Sequence, residues 1–346
     1  MEEQSPAGCF LDERKRPDLP TRLARQPRIG LAALPTPIQE TRRLTQALGG
    51  SRILIKRDDL TGLATGGNKV RKLEYLIADA LTHEADCVIT AGGPQSNHCL
   101  QTAAATARVG LDCHLVLGGE PPQDPRGNLL LDMVQGATIH WAPWARRPAA
   151  MEDLASSLHA DGSTPYVIPI GGSNAVGAFG YVTAMFELRD QLSAASCRVD
   201  HIVFATASGG TQAGLALGAA LTAFPGTVTG IGIERVDRDD VAETANSAAE
   251  LLETSERIGS EDIRVVYDYL GGGYGVVGDL ERDAVELLAR TEGIHVGPVY
   301  TGRALGGLVD MVRDDRFGKD ETVLFWHTGD QNAIHAYAHE FVGRTD

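Results

Sequence analysis

No stretch of this 346-residue chain approaches the roughly 18 consecutive apolar residues of a membrane-spanning helix, so no membrane span is expected. Basic residues are in the minority. There are 31 Lys and Arg against 46 Asp and Glu, and the net charge of −15 argues against a nucleic-acid binder. Cysteine is sparse: Cys9, Cys87, Cys99, Cys113 and Cys197 stand far apart with no CxxC spacing. An odd, scattered set of that kind fits reduced thiols better than disulfides or a zinc site. The acidic start, Met1-Glu2-Glu3, has neither the apolar stretch of a secretory signal nor the acid-poor character of a transit peptide. A soluble cytoplasmic protein is therefore expected. Internal repeats and low-complexity linkers are absent as well. No Gly-Lys-Ser/Thr follows a glycine-rich turn, no Gly-x-Ser-x-Gly elbow occurs, and His98, His327, His335 and His339 lack metal-ligand spacing. These absences remove Walker-type nucleotidases, elbow-type serine hydrolases and zinc proteases.

What remains is an alternation of short β-branched runs with longer helical patterns. Strands are expected at 53–57, 87–91, 113–117, 138–141, 166–170, 201–206, 229–234, 264–269 and 322–327. Helices are expected at 73–81, 100–108, 151–159, 181–192, 212–224, 280–290 and 305–313, with Ala284, Val285, Leu287 and Leu288 as one core-facing stripe. The segment 119–128, rich in Pro and Gly, reads as a surface loop. Strands separated by helices imply parallel sheets with crossover helices, the α/β class. In such folds ligands sit beyond the carboxyl ends of the strands. Four expected strand ends carry small or polar residues: Gly92-Gly93-Pro94, Gly171-Gly172-Ser173, Ser208-Gly209-Gly210-Thr211 and Thr328-Gly329. They point to one shared crevice.

Chemistry is suggested at four places. Gly66-Gly67-Asn68-Lys69 puts a lysine behind two glycines at the start of a helix, with Lys72 three positions later on the same face. That suits an amine that meets a carbonyl while its neighbour steadies an anion; an exposed loop lysine is the plain alternative. Ser208 to Thr211 opens a helix after a buried strand, where free N–H groups and the helix dipole favour phosphate. An ordinary capped turn explains it equally well. Gln95-Ser96-Asn97-His98 offers neutral donors, with Ser96 available for proton transfer, or simply an N-cap. Gly273, Gly275 and Gly278 fit the G-x-G-x-x-G dinucleotide fingerprint, but the following strand-like run 294–299 ends in Tyr300 rather than an acid.

In this order these blocks resemble the pyridoxal-phosphate enzymes of the tryptophan-synthase-β-like fold. Within it they are similar to the D-cysteine desulfhydrase and 1-aminocyclopropane-1-carboxylate deaminase family. The similarity runs from Leu34-Pro35-Thr36-Pro37 to about Tyr337. It includes Lys56-Arg57-Asp58-Asp59, the Gly66–Lys72 block, Gln95-Ser96-Asn97-His98, Gly171-Gly172-Ser173-Asn174, Gly273-Tyr274-Gly275, Tyr300-Thr301-Gly302 and His327-Thr328-Gly329.

The resemblance implies pyridoxal 5'-phosphate as cofactor, joined to Lys69, which also moves the substrate's α-proton. Asn97 is implied on the cofactor's phenolic oxygen, Lys72 with Ser208, Gly209, Gly210 and Thr211 on its phosphate, and Thr328 on its pyridine nitrogen. Gln95, Ser96 and His98 are implied to hold the substrate carboxylate, and Tyr274 and Tyr300 to line the pocket near Cα. Thr301 stands where ring-opening deaminases carry glutamate and desulfhydrases threonine. The implied reaction is β-elimination from a small amino acid such as D-cysteine, giving pyruvate, ammonia and sulfide. The deaminase, an L-cysteate sulfo-lyase, an idle cofactor-binding protein and, from another class, an NAD-dependent dehydrogenase using Gly273 to Gly278 stay as alternatives.

Pro94, Leu100, Asp330, Gln331 and Asn332 depart from the family pattern, and Asp330 is expected to bring a negative charge near the pyridine or the substrate. The implied architecture has a large cofactor domain, 1–70 with 185–346, and a small domain, 71–184, in two open twisted, mostly parallel sheets. A homodimer acting on a small amino acid, with no nucleic acid or membrane partner, completes the expectation.

Overall fold

The computed structural model describes residues 19–342; Cys9 and the acidic start lie outside the described residues. The strands are β1 (Ile38–Glu40), β2 (Arg52–Arg57), β3 (Cys87–Gly92), β4 (Asp112–Gly118), β5 (Thr138–Ala142), β6 (Pro165–Val167), β7 (His201–Thr206), β8 (Thr227–Gly232), β9 (Arg264–Val266) and β10 (Thr322–His327). The helices are α1 (Leu19–Arg25), α2 (Arg42–Leu48), α3 (Asn68–Thr82), α4 (Asn97–Val109), α5 (Gly127–Val134), α6 (Arg147–Ala160), α7 (Ala175–Ala194), α8 (Gly210–Leu221), α9 (Arg238–Leu251), α10 (Asp279–Glu292) and α11 (Thr301–Arg313). A six-stranded sheet runs β1-β2-β10-β7-β8-β9 and a four-stranded sheet β5-β4-β3-β6. All pairings are parallel except β1 with β2. This is the α/β architecture with mostly parallel sheets. Helices cover both faces of such sheets, so the central strands are mostly apolar and buried along their length. All six residues of β10 are buried, as are all six of β3.

Four expectations need correction. The run 294–299 is not a strand, because the Gly297 N–H donates to Thr301 Oγ1 and Asp330 Oδ1 rather than to a ladder partner. The strand expected to reach residue 170 stops at Val167, where Pro169 cannot donate and Gly171 turns left-handed. The strand expected to 269 ends at Val266. Within the segment expected as a loop to 128, α5 already begins at Gly127. Helices α1, α2, α5 and α9 and the antiparallel edge β1 had no counterpart in the sequence reading.

Helix α7, about 30 Å long at 1.5 Å per residue, crosses α3 almost backbone to backbone. A Cβ on Gly180 would lie 2.4 Å from the Arg71 carbonyl oxygen. Beside that crossing sits a buried ionic knot. Asp58 accepts from Arg71 Nε (2.9 Å) and Nη2 (2.8 Å), Thr36 Oγ1 (2.8 Å), Tyr181 OH (2.7 Å) and Trp326 Nε1 (2.7 Å). Glu187 pairs with both Arg71 and Lys56. The knot ties β2, α3, α7 and β10 together directly behind the strand ends.

Asp132 in α5 is fully buried, and neither carboxyl oxygen has a hydrogen-bond partner among the described residues. Burial pushes its pKa up from 3.8 to about 8. A carboxyl raised on folding costs the native state more as the unfolded chain ionises, so stability falls as pH rises from about 4 toward 8. Asp132→Asn removes that ionisation. Thermal melts should show the variant gaining roughly 2–5 °C over the parent at pH 8 and less at pH 5. An equal shift at both pH values would refute the assignment.

Candidate active site

The carboxyl ends of β3, β7 and β10 and the turn after β6 meet around a cavity of about 350 Å³. Gly92 and Gly93, Ile170 and Gly171, Ala207 to Gly209, and Thr328 all line it, so the four glycine-bearing ends share one crevice.

Lys69 lies in the first turn of α3. The loop before it is shaped by close approach rather than by looseness. Gly66 adopts φ +84°, and a Cβ there would fall 1.9 Å from the Asp59 carbonyl oxygen. Burial pushes the Lys69 amine down to about 8, against a small opposing effect of Cys99. No carboxylate pairs with it among the described residues. One turn on, the buried Lys72 donates to Gly171 O at 2.7 Å and approaches Ser173 Oγ at 3.5 Å. Burial, then the charge of Lys69, holds Lys72 well below the ordinary lysine value.

Two buried amines without an acid leave room for an anion. The N-terminus of α8 faces the same space with Ser208, Gly209 and Thr211 in the cavity wall. Gly210 stands just behind. Its N–H meets Ser173 Oγ (3.1 Å), and a Cβ on it would lie 2.6 Å from Lys72 Nζ. Lys72 thus supports the phosphate-type cradle from beneath rather than lining the cavity.

Ser96 does two things. Its Oγ caps α4 by accepting from Cys99 N at 3.3 Å, and the residue lines the cavity. Asn97 donates to Asn68 Oδ1 (3.3 Å), and Asn68 donates to Thr211 Oγ1 (3.0 Å). Asn68 therefore bridges two walls of the site, a role the sequence reading missed although the residue stood inside the Gly-Gly-Asn-Lys block.

His98 is 2% exposed, and burial followed by the charges of Lys69 and Lys72 keeps it well below its ordinary pKa. Its tautomer follows from its neighbours. Thr90 Oγ1 gives its only proton to Ile168 O (2.9 Å), so at the 2.9 Å contact with His98 Nε2 the ring must be the donor. The unprotonated Nδ1 has no partner among the described residues. The ring therefore offers an acceptor and does not suit a carboxylate. Free N–H groups of the first turn of α4 suit it better.

Tyr274 and Tyr300 line the opposite wall, their hydroxyls 2.6 Å apart and their rings edge to face at 5.7 Å. Burial raises both phenol pKa values, so both stay protonated near neutral pH. Thr328 lines the cavity, and its carbonyl accepts from Asn68 N at 2.9 Å.

Three expected neighbours of the ligand turn elsewhere. Gln95 donates to Arg126 O (3.0 Å) and accepts from Asn128 N (3.0 Å), fixing the entry to α5. Thr301 is fully buried against Gly329 O (2.9 Å) and the Asp330 carboxylate. Asp330, expected near the pyridine or substrate, points into the start of α11, where it accepts from Tyr300 N (2.9 Å) and Gly297 N (3.1 Å). Burial raises it to about 6 against those hydrogen bonds. Its role here is to hold the turn that presents Tyr300. Trp144, Arg147 and Glu234 also line the cavity, and nothing local in the sequence marked them.

The dinucleotide fingerprint is filled by its own chain. Gly278 N donates to Glu281 Oε2 (2.8 Å), and Glu281 is held by Arg303 (2.5 Å). A phosphate has no place there, and Tyr274 is the part of that loop which reaches the cavity.

Residues 29–329 match the family model described as "Pyridoxal-phosphate dependent enzyme". Among solved structures, an ACC deaminase homologue is 38% identical, covering 94% of this chain and 98% of its own, with a TM-score of 0.86. An O-ureido-L-serine-bound mutant of O-ureido-L-serine synthase is 15% identical (94% and 95% covered, TM-score 0.66). An aspartate racemase dependent on the same cofactor is 17% identical (90% and 94% covered, TM-score 0.65). These last two share the fold.

Proposed function

The chain belongs to the pyridoxal-phosphate-dependent enzymes, and from that premise we propose that it is a carbon–sulfur lyase releasing a keto acid and ammonia from a small amino acid such as cysteine. The site fits the cofactor. Two buried amines lack acid partners, and one of them lies under a helix N-terminus suited to phosphate. Lys69 would hold the cofactor's carbonyl carbon, Lys72 and the turn from Ser208 to Thr211 its phosphate, Asn97 its phenolic oxygen and Thr328 its ring nitrogen. When bound, the cofactor draws electron density from the amino acid's Cα.

The remaining work falls to side chains. Lys69 Nζ takes the proton from Cα, and the freed pair forms the Cα=Cβ bond as the Cβ–S pair leaves with sulfur. Ser96 and the first N–H groups of α4 hold the carboxylate. Tyr274 and Tyr300, kept protonated, act as hydrogen-bond and proton donors to the departing sulfur rather than as bases. Water then converts the released enamine to keto acid and ammonia.

The observation that carries this reading is the protonated Tyr274–Tyr300 pair in the same cavity as the Lys69 amine. Keto-acid release should be assayed with each enantiomer of cysteine and with 1-aminocyclopropane-1-carboxylate. Cysteine in one configuration is expected to exceed the cyclopropane acid by at least about 10²-fold in kcat/KM, the scale of one positioned proton donor. A preference for the cyclopropane acid would overturn the proposal and make the chain a deaminase.

A further inference from the structure

Lys69 sits at a helix start that does not cap itself. Gly67 stands at the N-cap of α3, and no side-chain cap bond closes that end. The first N–H groups of a helix have no intrahelical partner. Support comes instead from α4, through the fully buried Gln101. Its Oε1 accepts from Val70 N at 2.9 Å, and its Nε2 donates to Gly66 O at 2.8 Å. One side chain thus bonds the backbone on both sides of Lys69. The amide has a single orientation, since Val70 N can only donate and Gly66 O can only accept. The fit is close: a Cβ on Gly67 would fall 2.3 Å from Gln101 Nε2.

Gln101 lies one turn after Asn97, on the same face of α4. Asn97 reaches Asn68 at 3.3 Å, so this face grips Gly66, Asn68 and Val70 around the lysine. Gly66 and Gly67, at φ +84° and +138°, give the preceding chain no stiffness of its own. The first turn of α4 and Ser96 are the groups assigned above to the substrate carboxylate. Carboxylate and lysine are therefore referenced to one rigid helix.

We propose that Gln101 is a positioning residue for Lys69, setting the reach of its Nζ toward the Cα proton of a substrate whose carboxylate the same helix holds. This inference rests on the lyase reading above. Gln101 stands behind the cavity wall and acts only through the backbone that flanks the lysine.

The test compares the parent, Gln101→Met and Gln101→Glu, each as holoenzyme and after removal of the cofactor. Methionine fills the volume and loses both bonds. Keto-acid release from cysteine should show kcat lowered about 10- to 100-fold in Gln101→Met with KM nearly unchanged, the pattern of a displaced reacting group rather than a lost binding contact. Independently of turnover, pyridoxal phosphate should load onto stripped Gln101→Met more slowly, read by borohydride fixation at Lys69. Calorimetry should find the Kd of inorganic phosphate for the same stripped protein unchanged. Glutamate is the conservative variant. Protonated, it donates to Gly66 O and accepts from Val70 N as the amide does; ionised, it sets an oxygen against Gly66 O. The ratio of its loading rate to the parent's is therefore expected to be highest in acid and to fall as pH rises.

Parental kcat and loading rate in Gln101→Met would overturn the assignment. So would a loss spread equally over kcat, KM and phosphate affinity, or a Gln101→Glu ratio indifferent to pH, since each marks a general packing role. If the parent releases keto acid and Gln101→Met matches it in both rates, the lyase reading stands and the Gln101 proposal fails. If neither cysteine enantiomer yields keto acid while loading slows in Gln101→Met and the Gln101→Glu ratio follows pH, the lyase reading fails alone.

Discussion

Lys69→Ala is expected to lower keto-acid release by on the order of 10³-fold or more, because the residue is proposed both to join the cofactor and to move the Cα proton. The fold should survive. Lys69 is buried without an acid partner, so its removal relieves a desolvated amine rather than breaking a pair. Borohydride treatment should fix cofactor to the parent chain at Lys69 and leave the variant unlabelled. The position of the amine at about 8 adds a pH signature. Protein stripped of cofactor should reload faster as pH rises through about 8, since only the unprotonated amine attacks a carbonyl carbon. Labelling at another lysine, or full activity in Lys69→Ala, would remove this residue from the mechanism.

The largest stability effect is expected at Asp58. Burial alone would raise this carboxyl, but the Arg71 guanidinium, then Lys56 and Tyr181, outweigh it and hold the pKa at about 2. Because the folded value lies below the unfolded 3.8, the stabilisation is complete above about pH 4 and is lost as pH falls from 3.8 toward 2. Asp58→Asn leaves Arg71 only Glu187 as a charge partner and takes acceptor capacity from Tyr181 and Trp326. Removing one partner of a buried pair costs about 3–5 kcal/mol. The variant should melt at least about 5 °C below the parent at pH 7 and lose most of that difference near pH 2.5. A deficit that persists unchanged in acid would show that the knot acts by shape rather than by charge.

The same knot shows where sequence reading stops. Lys56, Asp58 and Arg71 stand in recognisable blocks, yet Glu187 and Trp326 join them from 116 and 268 residues away. Local pattern could not pair them, since a carboxylate on a helix reads as solvated until its neighbours across the fold are known. Short elements were lost for a related reason. A three-residue edge such as β1 carries too little periodicity to separate from loop, and α9 has a polar first turn with its buried side made of Val241 and otherwise only alanines.

At the site, what could be read locally was read. Glycine at Gly66 and Gly209 marks left-handed backbone, the small residues after β3, β7 and β10 mark open strand ends, and Lys69 and Lys72 share a helical face because they lie three residues apart. Gln95, Thr301 and Asp330 sit beside these signals and still turn away, each claimed by a buried donor or acceptor that had to be satisfied.

The amino-acid sequence by itself determined the α/β class, the order of the main strands and helices, and the glycine-bearing ends that form the crevice, because dihedral preference and apolar period are local properties. Only the tertiary structure decided which side chains face that crevice. The His98 tautomer, the protonated tyrosine pair, and the arrival of Trp144, Arg147 and Glu234 depend on contacts between distant segments. Such contacts come into being only when the two sheets pack and their polar groups find partners.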